Sequence, residues 1–190
     1  MPLHETKRSP KILFGQNALG QIGQESRNLG ANRVLVVTDE GIVKADHAER
    51  LTHYLDKANC ESSLFTKVVE NPSTETVDDC VEAARNFGAE LIIGLGGGSS
   101  LDTAKGCNFI LTNGGRMQDY WGYAKATKPM LPLIAVPTTA GTGSDCQSYA
   151  LISDAESHQK MACGDPKALP AAAILDPTLT LTQPRFVAAC

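Results

Sequence analysis

The sequence predicts an α/β fold in which a doubly wound parallel sheet is followed by a small β-hairpin. Along residues 11–136, short apolar segments typical of buried strands alternate with segments whose apolar residues recur at helical spacing. Glycine-rich turns follow two of the apolar segments, and strand–turn–helix units of this kind build parallel sheets. The chain has 190 residues, of which 42% are apolar, so one domain with a sizeable core accounts for its length.

The elements up to residue 88 form three strand–helix units. In the first unit, the pattern predicts a strand at 11–14 and a helix that ends at Gly30. In the second, it predicts a strand at 33–38 and a helix over 42–58. In the third, it predicts a strand at 63–69 and a helix that ends at Gly88. In the second helix, Val43 shares the apolar face with Leu51 and Leu55, so we expect it to be buried.

A fourth unit and a hairpin complete the chain. The fourth unit is a strand at 91–93, a glycine-rich loop and a helix that ends at 113–115. A further strand is predicted at 131–136. Two strands at 147–153 and 159–164 then pair as a hairpin over a turn at 154–157. The strand–helix alternation therefore stops after residue 145, where the hairpin begins.

The loop from Gly94 to Lys105 carries the strongest functional signal. A buried strand breaks into three consecutive glycines and restarts as a helix, which leaves backbone N–H groups directed at open space in front of the helix dipole. This arrangement is typical of a phosphate-binding loop. It departs from the common dinucleotide fingerprint because Ser99 replaces the third glycine. A tight turn without a ligand is the alternative, and we expect Ser99 or Ser100 to cap the helix.

A second loop of small and hydroxyl residues, Ala135–Asp145, follows the next apolar strand. Its threonine hydroxyls can bond a ligand, and its glycines let that ligand lie close to the backbone. The alternative is a turn whose hydroxyls satisfy their own backbone. Because both loops follow strands of one parallel sheet, we expect them to share a crevice at its carboxyl edge.

Asp39 follows the first long predicted strand. A carboxylate at this place accepts hydrogen bonds from the adenosine ribose of a dinucleotide and repels a 2′-phosphate, which favours NAD over NADP. The alternative is that Asp39 only caps the next helix.

Composition excludes several classes of protein. The net charge is −4, aromatic residues make up 5%, and no basic stripe is present, so nucleic-acid binding is not expected. Apolar runs are far shorter than the ~20 residues of a membrane-spanning helix, and residues 1–8 lack the apolar core of a signal peptide. The six cysteines form no Cys-x-x-Cys pair and are expected to be reduced thiols. These features predict a cytoplasmic protein.

Two segments match signature motifs at every specified position. Gly96–Lys105 fits Gly-Gly-Gly-Ser-x-x-Asp-x-Ala-Lys, and Pro137–Ser144 fits Pro-Thr-Thr-x-Gly-Thr-Gly-Ser. With these motifs in this order, the chain resembles the iron-containing (metal-dependent, group III) alcohol dehydrogenase family from about residue 10 to its last residue. Dehydroquinate synthase and glycerol dehydrogenase are similar in fold, but their second loop differs.

The resemblance implies that residues 1–190 form a Rossmann-like, dehydroquinate-synthase-like domain that binds NAD. It implies that Gly97, Gly98 and Ser99 hold the pyrophosphate. The other matching cofactor positions are Asp39, Asn71, Asp102, Thr138, Thr139, Thr142, Leu151 and Lys160. For three of these residues the sequence alone leaves an alternative. Asp102 is compatible with an acidic residue that the helix dipole favours in the first turn. Leu151 is compatible with a core residue of a strand, and Lys160 with a solvated lysine of the hairpin.

The resemblance also implies a metal, iron or zinc, held by one Asp and three His of a helical C-terminal domain. The four histidines, His4, His47, His53 and His158, match none of these positions. We therefore expect the helical metal-binding domain to be absent, with no metal ligand and no catalytic residue in this chain. The chain is then expected to be the NAD-binding half of an enzyme that transfers hydride between NAD(H) and a small alcohol or aldehyde.

Two other interpretations are compatible with the sequence. The chain could be a free-standing nucleotide-binding module without chemistry of its own. It could instead be an assembly domain whose strand at 11–14 lies at the sheet edge and pairs with a partner. The same edge offers a surface for a homodimer.

Overall fold

The computed structural model describes residues 10–183. Its helices are α1 (Ile22–Asn28), α2 (Glu40–Lys44), α3 (His47–Lys57), α4 (Thr74–Phe87) and α5 (Gly98–Asn113). Its strands are β1 (Lys11–Phe14), β2 (Arg33–Val37), β3 (Glu61–Phe65), β4 (Leu91–Gly96), β5 (Gly122–Tyr123), β6 (Leu133–Pro137), β7 (Tyr149–Ser153), β8 (Lys160–Gly164) and β9 (Ala172–Leu175). Short 3-10 helices cover Ala18–Gln21, Met117–Tyr120, Pro166–Ala168 and Pro177–Thr182.

Six strands form one parallel sheet in the order β1-β9-β6-β4-β2-β3. Successive side chains of a strand point to opposite faces, and both faces of this sheet are covered by helices. On one face Val36 packs in a core with Leu51 of α3, and on the other its neighbour Leu35 packs in a core with Val77 of α4. The predicted doubly wound parallel fold is confirmed.

The hairpin is also confirmed. β7 and β8 pair antiparallel with Ser153 opposite Lys160, and β5 joins β8 in parallel to complete a three-stranded sheet. The inward side chains Ile152 and Met161 are fully buried in the core that also holds residues of α4 and α5. This packing fixes the hairpin beside the helix that follows the glycine-rich loop.

Most predicted elements shift by one to three residues in the structure, and two differ in a way that matters for burial or position. The expected helix over 42–58 is two helices, α2 and α3, because Asp46 between them has a positive φ of 61°. Val43 consequently leaves the apolar face and is 38% exposed, so its predicted burial was wrong. The strand expected at 63–69 lies earlier, at Glu61–Phe65.

Two strands were not predicted. β9 lies between β1 and β6, and β1 joins the sheet only through it. Its sequence begins with alanines, which are poor strand formers, so nothing in the local pattern marks it as a strand. β5 has two residues, which is too short for any periodicity to show.

Residues 10–183 contain no helix with the length and apolar content that a membrane crossing needs. The five cysteines in this range are free thiols, and all of them except Cys146 are buried. Cys190 and His4 lie outside the described residues.

Candidate functional site

A cleft of about 990 Å³ opens at the carboxyl edge of the sheet, where β2, β4 and β6 end side by side. Ligands of parallel α/β sheets bind at this edge. Six of the predicted cofactor residues line the cleft: Asp39, Gly97, Gly98, Ser99, Thr138 and Thr139. They come from three separate loops, and they meet because the strands that precede them are neighbours in the sheet.

The glycine-rich loop turns directly from β4 into α5. Gly96 has a φ of +142°, and a Cβ there would lie 2.5 Å from Ser100 Oγ, so only glycine suits this position. Gly97 is the N-cap of α5 and has no side-chain hydrogen bond. The expectation that Ser99 or Ser100 caps the helix was therefore wrong, because both lie in its first turn. The N–H groups of that turn have no acceptor within the helix.

Two buried hydroxyls beside the loop have no hydrogen-bond partner within residues 10–183, Ser100 Oγ and Thr139 Oγ1. Both residues line the cleft. Leaving a buried polar group unpaired costs about 1–3 kcal/mol. Such atoms beside a cleft therefore indicate a place where a ligand supplies the missing hydrogen-bond partner. With the free N–H groups at the start of α5, they form a set of donors that fits an anion such as a pyrophosphate.

The glycine-rich loop and the second loop face each other across a narrow gap. A Cβ on Gly97 would lie 3.5 Å from Thr139, and a Cβ on Gly98 would lie 3.5 Å from Ser144 Oγ and 3.7 Å from Thr142. A side chain at either glycine would therefore occupy the gap. The two loops are therefore packed close together here, with room at each glycine for about one methyl group and no larger side chain.

Asp39 lies at one end of the cleft and caps α2. Its Oδ1 accepts a hydrogen bond from the backbone N–H of Ile42 at 3.0 Å. The capping role is thus observed, while the contact with a ribose stays a prediction. Lys67 lies opposite Asp39 in a short antiparallel bridge and also lines the cleft. We call Asp39, α2 and Lys67 the Asp39 end.

Asn71, Asp102, Leu151 and Lys160 lie apart from the lining of this cleft and gather beside the hairpin. Lys160 Nζ donates to Asn71 Oδ1 at 3.1 Å. Burial raises the pKa of Asp102, while the charge of Lys105 and the backbone N–H of Leu151 oppose that rise. Asp102 Oδ1 has no hydrogen-bond partner among the described residues. We call these four residues and Lys105 the hairpin end.

Lys105 is the residue that sequence reasoning missed. It is fully buried, and its Nζ donates to the carbonyl oxygens of Ser144 at 2.6 Å and Tyr149 at 3.0 Å, with Asp102 Oδ1 3.9 Å away. Burial lowers the pKa of Lys105 to about 8. The side chain ties α5 to the second loop and to β7. A signal was available, since Lys105 follows Leu101 by four residues and shares its apolar helix face.

The last described residues also line the cleft, which the sequence did not indicate. Thr182 and Gln183 form part of its wall. Thr182 Oγ1 lies 2.8 Å from the ring Nε2 of His47, and the side-chain amide of Gln183 donates to the carbonyl oxygen of Thr138. These contacts join residues far apart in the chain, and only the fold brings them together.

Within residues 10–183, no three His, Cys, Asp or Glu side chains converge in the way that a metal ion requires. His47 and His53 lie on α3, and His158 lies in the turn between β7 and β8. The described residues therefore do not fit a catalytic metal centre.

Comparison with known proteins places this geometry in a family. The family model described as iron-containing alcohol dehydrogenase matches residues 9–177. The NAD-dependent methanol dehydrogenase of Bacillus methanolicus is 34% identical over 175 residues, which are 92% of this chain and 46% of that protein. A crystal structure of 1,3-propanediol oxidoreductase has a TM-score of 0.93 at 32% identity and covers 95% of this chain and 48% of that one.

A third comparison includes a bound dinucleotide. Sulfoacetaldehyde reductase from Bifidobacterium kashiwanohense, solved in complex with NAD+, has a TM-score of 0.87 at 30% identity and covers 98% of this chain and 50% of that one. The chain thus spans about half the length of the relatives it matches. The resemblance to the iron-containing alcohol dehydrogenase family, which the two loop motifs indicated, is confirmed. This chain belongs to the iron-containing alcohol dehydrogenase family, and it forms the N-terminal part of that family's fold.

Proposed function

We propose that residues 1–190 form one dinucleotide-binding domain, which binds NAD(H) as the cofactor half of an alcohol dehydrogenase. The observation that carries the proposal is the cleft at the sheet edge, where Asp39, the glycine-rich loop and two threonines surround donors without partners. The NAD+ complex of the Bifidobacterium relative supports the choice of ligand.

The middle of the cleft suits the pyrophosphate. The free N–H groups at the start of α5, at Gly98 and Ser99, point a positive helix end at the anion. Thr138 and Thr139 line the opposite wall and supply hydroxyl donors. Thr142 lies outside the cleft lining, 3.7 Å from the position of a Cβ on Gly98, and we assign it to the phosphate side as well. At the Asp39 end, the Asp39 oxygen that does not cap α2 accepts from the ribose hydroxyls of adenosine.

The hairpin end suits the nicotinamide half. Lys160 and Asn71 form a polar pair there, and the half-buried Leu151 offers an apolar surface to a ring. A carboxylate near a pyrophosphate would be repelled, so we assign Asp102 to the nicotinamide side, where Lys105 holds it. When bound, NAD(H) supplies or accepts the hydride of the reaction.

The substrate we propose is a small alcohol or aldehyde. The printed names of two relatives, a methanol dehydrogenase and a 1,3-propanediol oxidoreductase, support this class. The metal, iron or zinc, would be held by ligands other than residues 10–183, where no ligand cluster exists. We propose a cytoplasmic location, in keeping with a nicotinamide cofactor and free thiols.

Calorimetric titration with NADH tests the cofactor assignment. Gly98→Val places two methyl groups in the gap between the loops, so we expect NADH affinity to fall at least about tenfold, a change of ~1.4 kcal/mol. Gly98→Ala is the matched control, because its Cβ would make only ordinary contacts at 3.5 Å and 3.7 Å and removes less of the space. Circular dichroism and thermal unfolding check that both variants fold.

The same titration separates the three interpretations. Equal NADH affinity in the wild type and Gly98→Val would refute the pyrophosphate assignment, and a wild type that binds no dinucleotide would favour an assembly domain. An absorbance assay with propanol and 1,2-propanediol then asks whether bound NAD is reduced. Turnover with stoichiometric metal from this chain alone would overturn the half-enzyme interpretation in favour of a complete catalyst.

We further propose that β1, an edge strand of the sheet that residues 10–183 form, pairs with a second copy of the chain. Ile12 is 53% exposed and Phe14 is 77% exposed there. The N–H groups of Lys11 and Gly15 donate toward β9, so by alternation that of Ile12 points to the open edge. Sedimentation should show a dimer that Ile12→Pro converts to a monomer, because proline removes that donor. A monomeric wild type would refute this pairing.

A further inference from the structure

Lys67 lies directly across from Asp39 at the Asp39 end of the cleft. The two residues form an antiparallel bridge in which the N–H of Val68 donates to the carbonyl of Thr38 at 3.3 Å. Because this bond joins the flanking residues, Asp39 and Lys67 are a non-hydrogen-bonded pair, the kind in which side chains lie closest. Cβ atoms of such pairs are ~4.5–5.5 Å apart and share one face. Both residues line the cleft.

The charges around this end are unequal. Within the described residues, Lys67 is the only basic residue of the cleft lining, against the acidic Asp39, Glu40 and Glu70. The ammonium of Lys67 is therefore the one positively charged side-chain group in the described lining that can contact an anion near the ribose. A lysine side chain reaches such an anion through a flexible four-carbon stem.

The ion pair that now holds Lys67 is weak. Lys67 Nζ lies 3.3 Å from Asp79 Oδ2 on α4, and the two side chains are 73% and 55% exposed. Exposed pairs of this kind contribute little to stability, because water screens the charges and two side chains must be ordered. The ammonium can consequently leave Asp79 for a doubly charged phosphate in the cleft at small cost.

We propose that Lys67 is a second determinant of dinucleotide selection, which offsets the repulsion that Asp39 exerts on a 2′-phosphate. The inference rests on the proposed binding of a dinucleotide in this cleft. Asp39 alone would reject the 2′-phosphate of NADP, whereas Lys67 supplies a compensating charge on the same face. Asp79 competes with the phosphate for that charge. The chain therefore prefers NAD(H) less strongly than Asp39 by itself would dictate.

Calorimetric titrations of the full chain with NADH and NADPH test the proposal. Lys67→Gln should raise the ratio of the NADPH Kd to the NADH Kd at least threefold and leave the NADH Kd within twofold. Asp79→Asn should lower that ratio, because it frees the ammonium. Both changes should shrink in high salt, where charges at the surface are screened. Lys57→Gln, at the exposed end of α3 and outside the cleft lining, is the matched control and should change nothing.

The outcomes separate this inference from the function on which it rests. A wild type that binds no NADH overturns both. A wild type that binds NADH, with an unchanged ratio in Lys67→Gln, overturns the role of Lys67 alone. A ratio that changes equally in Lys57→Gln would show a general effect of net charge, and it would overturn the role of Lys67 as well.

Discussion

The Asp39 end of the cleft and the hairpin end beside it use charge in opposite ways. At the Asp39 end the charged groups are half-buried or exposed, and Lys67 is restrained by one solvent-facing carboxylate. At the hairpin end Lys105 is fully buried, hydrogen-bonded to two backbone carbonyls and 3.9 Å from a buried carboxylate. Charges in water are screened and exchange partners readily, whereas buried charges are costly unless their partners are fixed.

This difference separates the residues that set the preference for a dinucleotide from the residues that hold the fold together. At the Asp39 end, a substitution should alter which dinucleotide is preferred and leave the fold nearly untouched. At the hairpin end, Lys105 connects α5, the second loop and β7, so a substitution should move the loop that lines the cleft and lower the stability of the chain. Three predictions test the contrast, in order of expected size.

The largest effect should come from Lys105→Met. The variant leaves Asp102 without its nearest cation and the carbonyls of Ser144 and Tyr149 without their donor. Removing one partner of a buried pair costs about 3–5 kcal/mol, and we expect the free energy of unfolding in urea to fall by about 3 kcal/mol. Lys67→Met, the same change at the exposed lysine of the Asp39 end, should cost under ~0.5 kcal/mol. Similar losses in both variants would remove the contrast between buried and exposed charge.

A smaller effect should appear when pH is raised. The pKa of Lys105 is lowered by burial from 10.5 to about 8, so between these values the unfolded chain holds a proton that the folded chain has released. Stability contributed by this group therefore rises with pH across that window. Relative to Lys105→Met, which cannot titrate there, the wild type should gain about 2 kcal/mol from pH 8 to pH 10. A difference that stays constant with pH would show that Lys105 titrates normally.

Much of the fold followed from local pattern, and the failures have physical causes. The parallel sheet and the hairpin were predicted because buried strands and amphipathic helices carry their own periodicities. β9 was missed because its alanines have no strand preference, and its place between β1 and β6 depends on pairing with distant strands. The break between α2 and α3 was missed because Asp46 adopts a positive φ that the apolar spacing does not encode.

The site was predicted unevenly. Glycines and threonines after strands marked the middle of the cleft, because loops at the carboxyl edge of a sheet are where ligands bind. Lys105 was overlooked because a lysine is normally read as solvated, although its place on an apolar helix face argued otherwise. The contribution of Thr182 and Gln183 depends on tertiary contacts with α3 and with the loop after β6, which no sequence motif indicates.

The smallest of the three effects should be the most selective one. Asp39→Gly removes the carboxylate that repels a 2′-phosphate, so the affinity ratio of NADP(H) to NAD(H) should rise at least tenfold, a shift of ~1.4 kcal/mol. Glycine is a tolerated N-cap, and losing the bond to Ile42 should lower stability by only a few tenths of a kcal/mol.

Asp39→Asn separates the two roles of this residue, because it keeps a capping oxygen and removes only the charge. If repulsion sets the preference, both variants raise the ratio, and the rise is smaller when Lys67→Gln is added. If the ratio changes in neither variant, Asp39 is only a cap and selectivity lies elsewhere. A loss of several kcal/mol of stability in Asp39→Asn would break the contrast itself, because the Asp39 end would then be as structural as the hairpin end.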